Sequence, residues 1–474
     1  MANAKITPRA TDFAQWYQDV VTNAKLASHA SVKGTLNYLP NGWAIWTNVI
    51  KIFDRLFAKL NVQNVQLPLF IPYHDFVKEK EHLTGFAPEL FLVDKKGDEQ
   101  LSDPLIVRPT SEVLFSQLFQ QQIHSYHDLP MKYNQWCSVY RCEKNTKPFL
   151  RGSEFFWHEL HAMFTDEKSC HKFALQIHNL YNKVLAKYLL LPVLAGKKTE
   201  GEKFAGAEIT YTREVWSQDQ QAIQAGTSHY LGTNFSKMYD VTFQNHTNQQ
   251  SYPHYMSAGI TTRILGCLIV VHGDDRGLVL PFAIAPIQIA ILTILADKDA
   301  SVLGYVKKIK KHLGQYRVKI DDSAQSFGYK ISEQEVNGTP FSIVVGPKDV
   351  QTDAITLIRR DNQVKQVVKI KELKSVLRQA INDYQTALFN KANQHLHDSI
   401  TIVSNLKEFV DAIAKHQIAL APWSGSIADE AAIKKQYGVS PRCIKPDAKD
   451  LLKNKNCFYT NKPAKMMVYF ARAY

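Results

Sequence analysis

The 474 residues are enough for two or three domains, each burying a core of its own. Hydrophobic residues at 45% and charged residues at 21% are the proportions of a soluble globular protein, and six scattered cysteines with no C-x-x-C pair fit free thiols in a reducing compartment better than a disulfide framework. The formal net charge of +13, from 57 Lys and Arg against 44 Asp and Glu, favours a polyanionic partner such as nucleic acid or an anionic membrane, with a solvated lysine-rich face as the plain alternative.

Taken in chain order, the first 20 residues lack the apolar core of a signal peptide, and the expected location is cytoplasmic. Residues 11–27 and 41–61 carry apolar side chains at helical spacing. Residues 64–76 follow, where Pro68 and Pro72 allow only an extended, edge-like segment. Residues 131–143 and 154–164 alternate as strands and are separated by KNTKPFLRGS, a basic loop with Pro and Gly, so an antiparallel hairpin is predicted. Residues 278–296 are almost wholly apolar, but Pro281 and Pro286 interrupt them and Gln288 lies inside. Two buried strands joined by a bend are expected there rather than a membrane span. Beyond the prolines, strand and helix alternate as in a small α/β domain closed by a helix over 370–393. From about residue 398 a strand–helix–strand pattern leads into a loop-rich stretch that runs to Tyr474. The expected division is 1–282, 283–396 and 397–474.

The hairpin carries the chemistry. Residues two apart in a strand share a face, so Arg141 and Glu143 are expected to point one way at the end of the first strand. In the second, Trp157, Glu159 and His161 share one face and Phe156, His158 and Leu160 the other. Arg, two Glu, Trp and His on one face make no ordinary core, because such groups buried without partners cost several kcal/mol. A plain solvated face is the alternative. Lys144, Lys147 and Arg151 in the intervening loop suit phosphates, or are simply surface charges.

The hairpin resembles motif 2 of the class II aminoacyl-tRNA synthetases. NVQLPLFIP, with Pro68, resembles motif 1, and SAGITTRILG, with Arg263, resembles motif 3. RPTSE (108–112) and QAIQAGTSHYLGTNF resemble the prolyl-tRNA synthetases in particular, of the archaeal and eukaryotic type, over nearly the whole chain. The resemblance implies an α/β and α+β multidomain protein: an antiparallel-sheet catalytic domain, an α/β anticodon-binding domain and a small α+β C-terminal domain. It implies ATP-dependent ligation of L-proline to tRNA(Pro) through prolyl-adenylate, with Mg²⁺, in a homodimer that meets near Pro68.

Residue by residue, Thr110 and Glu112 would hold the proline ammonium. Trp157, Glu159, His161, His229, Ser257 and Gly259 would complete the proline pocket, with Gly226 and Ser228 beside His229. Arg141 would bind both the α-phosphate and the proline carboxylate, and with Arg263 would be the catalytic pair. Gln224, Thr227 and Thr261 would contact ATP, and Glu143 the Mg²⁺. Lys330, Glu335, Lys348, Arg359 and Arg360 are candidates for reading anticodon bases, with solvated surface charge as the plain alternative. Threonine and glycine enzymes share the general motifs; Thr110, Glu112, Trp157 and GTSH favour proline.

Two departures from the family pattern stand out. Where related chains carry four zinc-binding cysteines, this one has Ser424, Asp429, Cys457 and Tyr459, so no structural zinc is expected. The stretch from Phe164 to Ser257 has no room for an inserted editing domain.

Overall fold

A computed structural model describes residues 5–82 and 90–474; the first four residues of the N-terminal segment lie outside it. The predicted hairpin sets its frame. β1 (Met131–Tyr140) and β2 (Glu154–Phe164) pair antiparallel from Met131↔Met163 to Tyr140↔Glu154. β1 stops three residues short of the expected end. Arg141 N–H still reaches Ser153 O at 2.7 Å, but the chain then leaves the ladder for a loop closed between Lys147 and Arg151. Arg141 and Glu143 are therefore loop residues and not neighbours on a strand face.

β3 (Val193–Lys197), β4 (Ile209–Trp216), β5 (Ala222–Gly232) and β6 (His254–Thr261) extend the sheet in the order β3-β4-β5-β6-β2-β1. One face is covered by helices α1 (Pro40–Ala58), α3 (Glu167–Lys187) and α4 (Arg263–His272), while α2 (Glu112–Gln122) stands at the opposite face. Pro40 occupies the first turn of α1, where its missing N–H costs nothing. Ile45, Trp46, Val49, Phe53, Leu56 and Phe57 then bury one stripe at helical spacing. Asp166 caps α3 by accepting from Ser169 N–H at 2.8 Å. Under these helices His158 accepts or donates to Asn134 and Tyr181, each at 3.0 Å, and packs on Phe53.

The segment around Pro68 is extended as far as Pro72, pairing Phe70–Pro72 with the strand Glu99–Val107. Beyond Pro72 the expectation fails, since Tyr73–His82 is helical. The apolar stretch 278–296 also differs: only β7 (Ile289–Thr293) is a strand. Pro281 and Pro286 have no N–H to offer a ladder, and Gln288 ties the coil down by donating to Phe282 O at 2.9 Å and accepting from Arg317 N–H at 3.0 Å.

β7 lies between β8 (Val318–Asp321) and β9 (Phe341–Val345), both parallel to it, and β10 (Ala354–Arg359) and β11 (Lys365–Lys369) add antiparallel. The long helix α5 (Leu373–Asp398) buries Leu373, Leu377, Ile381, Tyr384 and Leu388 against this sheet.

The last stretch is more regular than its composition indicated. β12 (Ile400–Ile402), β13 (Ile418–Trp423), β14 (Ser440–Ile444) and β15 (Met466–Ala471) are joined by α6 (Leu406–Ala414) and α7 (Ile427–Tyr437). Ser426 and Asp429 form a reciprocal cap at the start of α7. Ile444 of β14 pairs with Lys197 of β3, so the C-terminal strands and the hairpin belong to one sheet of 11 strands among the described residues.

Candidate active site

Strand register builds the site. On the face away from α1 and α3, His161 stands opposite Ser257, Ser257 opposite His229, and His229 opposite Thr210. In the next row Gln135, Glu159, Gly259 and Thr227 follow one another across β1, β2, β6 and β5, and Trp157 faces Thr261 in the row beyond. Residues two apart on each strand thus form a small grid of polar and aromatic groups. Gly259 keeps the grid open, since a Cβ there would lie 3.3 Å from the Trp157 ring.

Two buried carboxylates dominate this face. Glu159 accepts from Ser111 N–H at 3.1 Å and from Gln135 Nε2 at 2.8 Å. Glu112, in the first turn of α2, accepts from the Thr110 hydroxyl, which also lies 3.4 Å from Glu159. Burial holds the Glu112 carboxyl above its ordinary value, against the pull of Thr110 and Arg141. Burial raises Glu159 as well, and the charge of Glu112 adds to it. A cation brought between two carboxyls raised in this way would favour their charged forms. Arg108, by contrast, is a strut: it donates to Leu67 O, Pro68 O and Ser138 O at 2.9–3.0 Å, joining the Pro68 segment to β1.

The Arg141 guanidinium lies 5.4 Å from the Trp157 ring centre and 5.3 Å from that of Phe155, and its Nε donates to Pro109 O. Burial works against its charge, and Glu112, Glu159 and Glu143 sustain it. Arg263, the first residue of α4, donates to Leu150 O at 2.9 Å and Gln224 O at 3.3 Å. Burial also lowers Arg263, and Arg151 opposes its charge further. Glu143 stands 3.9 Å from Arg151 at the mouth of the cleft. Lys147 turns aside to lie over the rings of Tyr17 and Tyr474, at 4.9 and 4.6 Å, and Lys144 is exposed.

Burial disfavours the charged form of both cleft histidines. Burial drives His161 well below its ordinary value, with His229 adding to it; its Nδ1 meets the Tyr255 hydroxyl at 2.5 Å and its ring stacks on Phe115. Burial brings His229 down to about 3, with Nδ1 3.0 Å from Thr210 Oγ1. Arg141, Glu143 and Arg263, the proline candidates from Thr110 to Gly259 and the ATP candidates Gln224, Thr227 and Thr261 line this one cleft, whereas Ser228 turns to the other face and donates to Ala174 O. Glu202, Phe204 and Thr210 also line it, from the β3–β4 connection and the start of β4, and no motif singled them out.

Residues 91–272 match the tRNA synthetase class II core domain (G, H, P, S and T), 283–380 the anticodon binding domain, and 406–474 the prolyl-tRNA synthetase C-terminal domain. The chain is 45% identical to the proline–tRNA ligase of Ureaplasma urealyticum over 99% of both chains. It is 44% identical to that of Malacoplasma penetrans, over 99% of this chain and 100% of the other. The chain belongs to the proline–tRNA ligases. Two crystal structures of the Cryptosporidium parvum prolyl-tRNA synthetase superpose on 99% of this chain and 96% of theirs with a TM-score of 0.94. One, complexed with halofuginone and AMPPNP, is 33% identical; the other, complexed with L-proline and AMP, is 32% identical.

Among the anticodon candidates of this proline–tRNA ligase, two must be withdrawn. Lys330 is 1% exposed, donating to Thr293 O at 3.0 Å and Asp321 O at 3.2 Å. Arg360 is 4% exposed, paired with both oxygens of Asp274 and bonded to Glu335 O. Buried, saturated cations of this kind hold a fold together and cannot reach a base edge. Arg359 pairs with Asp361 and Glu335 with Arg276, whereas Lys348 is exposed. In the C-terminal domain, Cys457 is buried and accepts from Thr460 N–H, and Asp429 is spent on its helix cap. Among the described residues no group of three or more His, Cys, Asp or Glu is arranged to hold a metal ion.

Proposed function

We propose that the Glu112–Glu159 pair binds the proline ammonium and that Arg141 and Arg263 bind the phosphates of ATP. As a proline–tRNA ligase the chain joins L-proline to tRNA(Pro) at the expense of ATP, through prolyl-adenylate. The observation that carries the assignment of roles is the buried carboxylate pair beside Arg141. A secondary ammonium keeps two N–H donors, and Thr110, Glu112 and Glu159 offer oxygens for both. Trp157, His161 and His229 would wall the ring, and Ser257 and Gly259 would floor it.

The proline carboxylate attacks the α-phosphorus and pyrophosphate leaves; the tRNA ribose hydroxyl then attacks the activated carbonyl and AMP leaves. Arg141 would orient the carboxylate and the α-phosphate with its planar fork. Arg263, held by Leu150 and Gln224 carbonyls, would take the γ-phosphate end with Thr261, and Gln224 and Thr227 would line the nucleotide's path. Glu143 is a fitting carboxylate for Mg²⁺, which draws on few protein oxygens and, when bound, neutralises phosphate charge.

A separate middle unit is supported by the core of β7–β11 and α5, though that core also takes in Leu190, Val279 and Phe282, and α5 runs past 396 to Asp398. A homodimer is supported by Leu69 and Phe70, 38% and 42% exposed, on the segment that carries Pro68. A cytoplasmic location is supported by free cysteines throughout the described residues. ATP–pyrophosphate exchange with an amino-acid panel tests the pocket: proline supports it and threonine and glycine do not. Exchange driven equally by threonine would overturn the reading.

A further inference from the structure

The connection between β3 and β4, residues 198–208, brings Glu202 and Phe204 to the cleft. Its stem is held at two consecutive residues, and at the second of them directly by the C-terminal domain. Lys198 Nζ donates to Glu214 Oε1 at 2.8 Å, and Glu214 Oε2 accepts from Arg442 Nη2 at 2.7 Å and Nε at 3.1 Å. Thr199 Oγ1 donates to Glu430 Oε2 on α7 at 2.9 Å. Lys198, Thr199, Glu214, Glu430 and Arg442 are all buried. Gly201 follows so closely over Glu430 that a Cβ there would lie 2.4 Å from Oε2. At the far end of the loop, Phe204 N–H donates to Thr210 Oγ1, which meets His229 Nδ1, each at 3.0 Å, and the Phe204 ring packs on His229.

We infer that Glu430 is a positioning residue for the amino-acid pocket, holding the loop stem so that Glu202 and Phe204 complete its wall, while Arg442 reaches the stem only through Glu214. A loop tied only at Thr210 would be ordered anew each time substrate bound, and that ordering would be subtracted from affinity. Anchoring at Thr199 removes the cost beforehand. The C-terminal domain thereby acts on amino-acid binding from outside the cleft, without touching substrate. The inference rests on the reading of the cleft as the proline site.

The test uses the full chain as wild type, Glu430→Ala, Glu430→Gln, Thr199→Val and the Glu430→Ala/Thr199→Val double variant. Pyrophosphate exchange is followed with proline and ATP varied separately. Loss of this buried hydrogen bond predicts that Glu430→Ala and Thr199→Val each raise KM for proline about tenfold, with KM for ATP unchanged. The double variant should be no worse than either single, because both remove one contact. Glu430→Gln, which keeps an acceptor for the Thr199 hydroxyl, should restore KM for proline. Thr199→Val carries the test alone if Glu430→Ala fails to fold. An unchanged KM for proline, a parallel rise for ATP, or no rescue by Gln would overturn the inference. Wild-type exchange that does not depend on proline would instead overturn the pocket assignment, and the inference with it.

Discussion

The carboxylates of Glu112 and Glu159 share the Thr110 hydroxyl, which donates to Glu112 and lies 3.4 Å from Glu159. Both carboxyls are raised by burial, and Glu159 further by Glu112. A bound ammonium stabilises their charged forms and lowers both, so proline binding should release protons. Calorimetry near neutral pH in buffers of different ionisation enthalpy should report release of up to about one proton. Glu112→Gln should shrink that release, and binding heat independent of buffer would contradict the argument.

Glu214 is the opposite case. Burial pushes its carboxyl up, but Lys198 and Arg442 outweigh burial and bring it from 4.5 down to about 2. A depressed carboxyl contributes stability that is present above its unfolded value and lost as pH falls through the folded one. That contribution should be intact above about pH 4.5 and vanish towards pH 2. Glu214→Gln should cost about 3–5 kcal/mol in denaturant unfolding at neutral pH, because two buried cations lose their counter-charge. An unfolding midpoint within experimental error of wild type would show that the cluster contributes nothing.

Arg360 and Lys348 should separate stability from tRNA binding. Arg360→Ala should lower the thermal midpoint through loss of the Asp274 pair, in a part-buried setting. Lys348→Ala, on an exposed helix start, should leave the midpoint unchanged and weaken tRNA(Pro) binding by up to about tenfold. Equal midpoints for the two variants would refute the structural role given to Arg360.

The residues between Phe164 and Ser257 are used up by α3, by β3, β4 and β5 of the catalytic sheet, and by a short helix and a small two-stranded sheet after them. A pocket sized for proline discriminates poorly against a smaller apolar amino acid, typically by about 10–200-fold. Alanine should therefore support slow exchange and yield alanyl-tRNA that the purified enzyme does not hydrolyse. Rapid deacylation of added alanyl-tRNA would reveal an editing activity.

The hairpin was legible because two long alternating runs flank a Pro- and Gly-bearing basic loop, and period two put Trp157, Glu159 and His161 on one face whatever the rest of the fold did. The Arg141–Glu143 stretch was misread because alternation continues past the last ladder pair, Tyr140↔Glu154. Pattern also could not show that β14 meets β3, since that contact joins residues far apart in the chain through a single pair, Ile444↔Lys197. Lys330 and Arg360 look like surface charges in sequence, and only tertiary partners such as Asp274 show them to be buried. Glu202 and Phe204 sit in a loop without periodicity, and their place in the cleft follows from anchors at Glu430 and Thr210.

Arg141 would organise both substrates at the α-phosphorus. Proline-dependent ATP–pyrophosphate exchange by Arg141→Ala tests it most directly, with unfolding of the variant measured alongside. A folded protein with exchange reduced at least about a thousandfold is expected, the scale for losing an arginine that stabilises transferring phosphate. Near-normal exchange in that variant would contradict that role of Arg141.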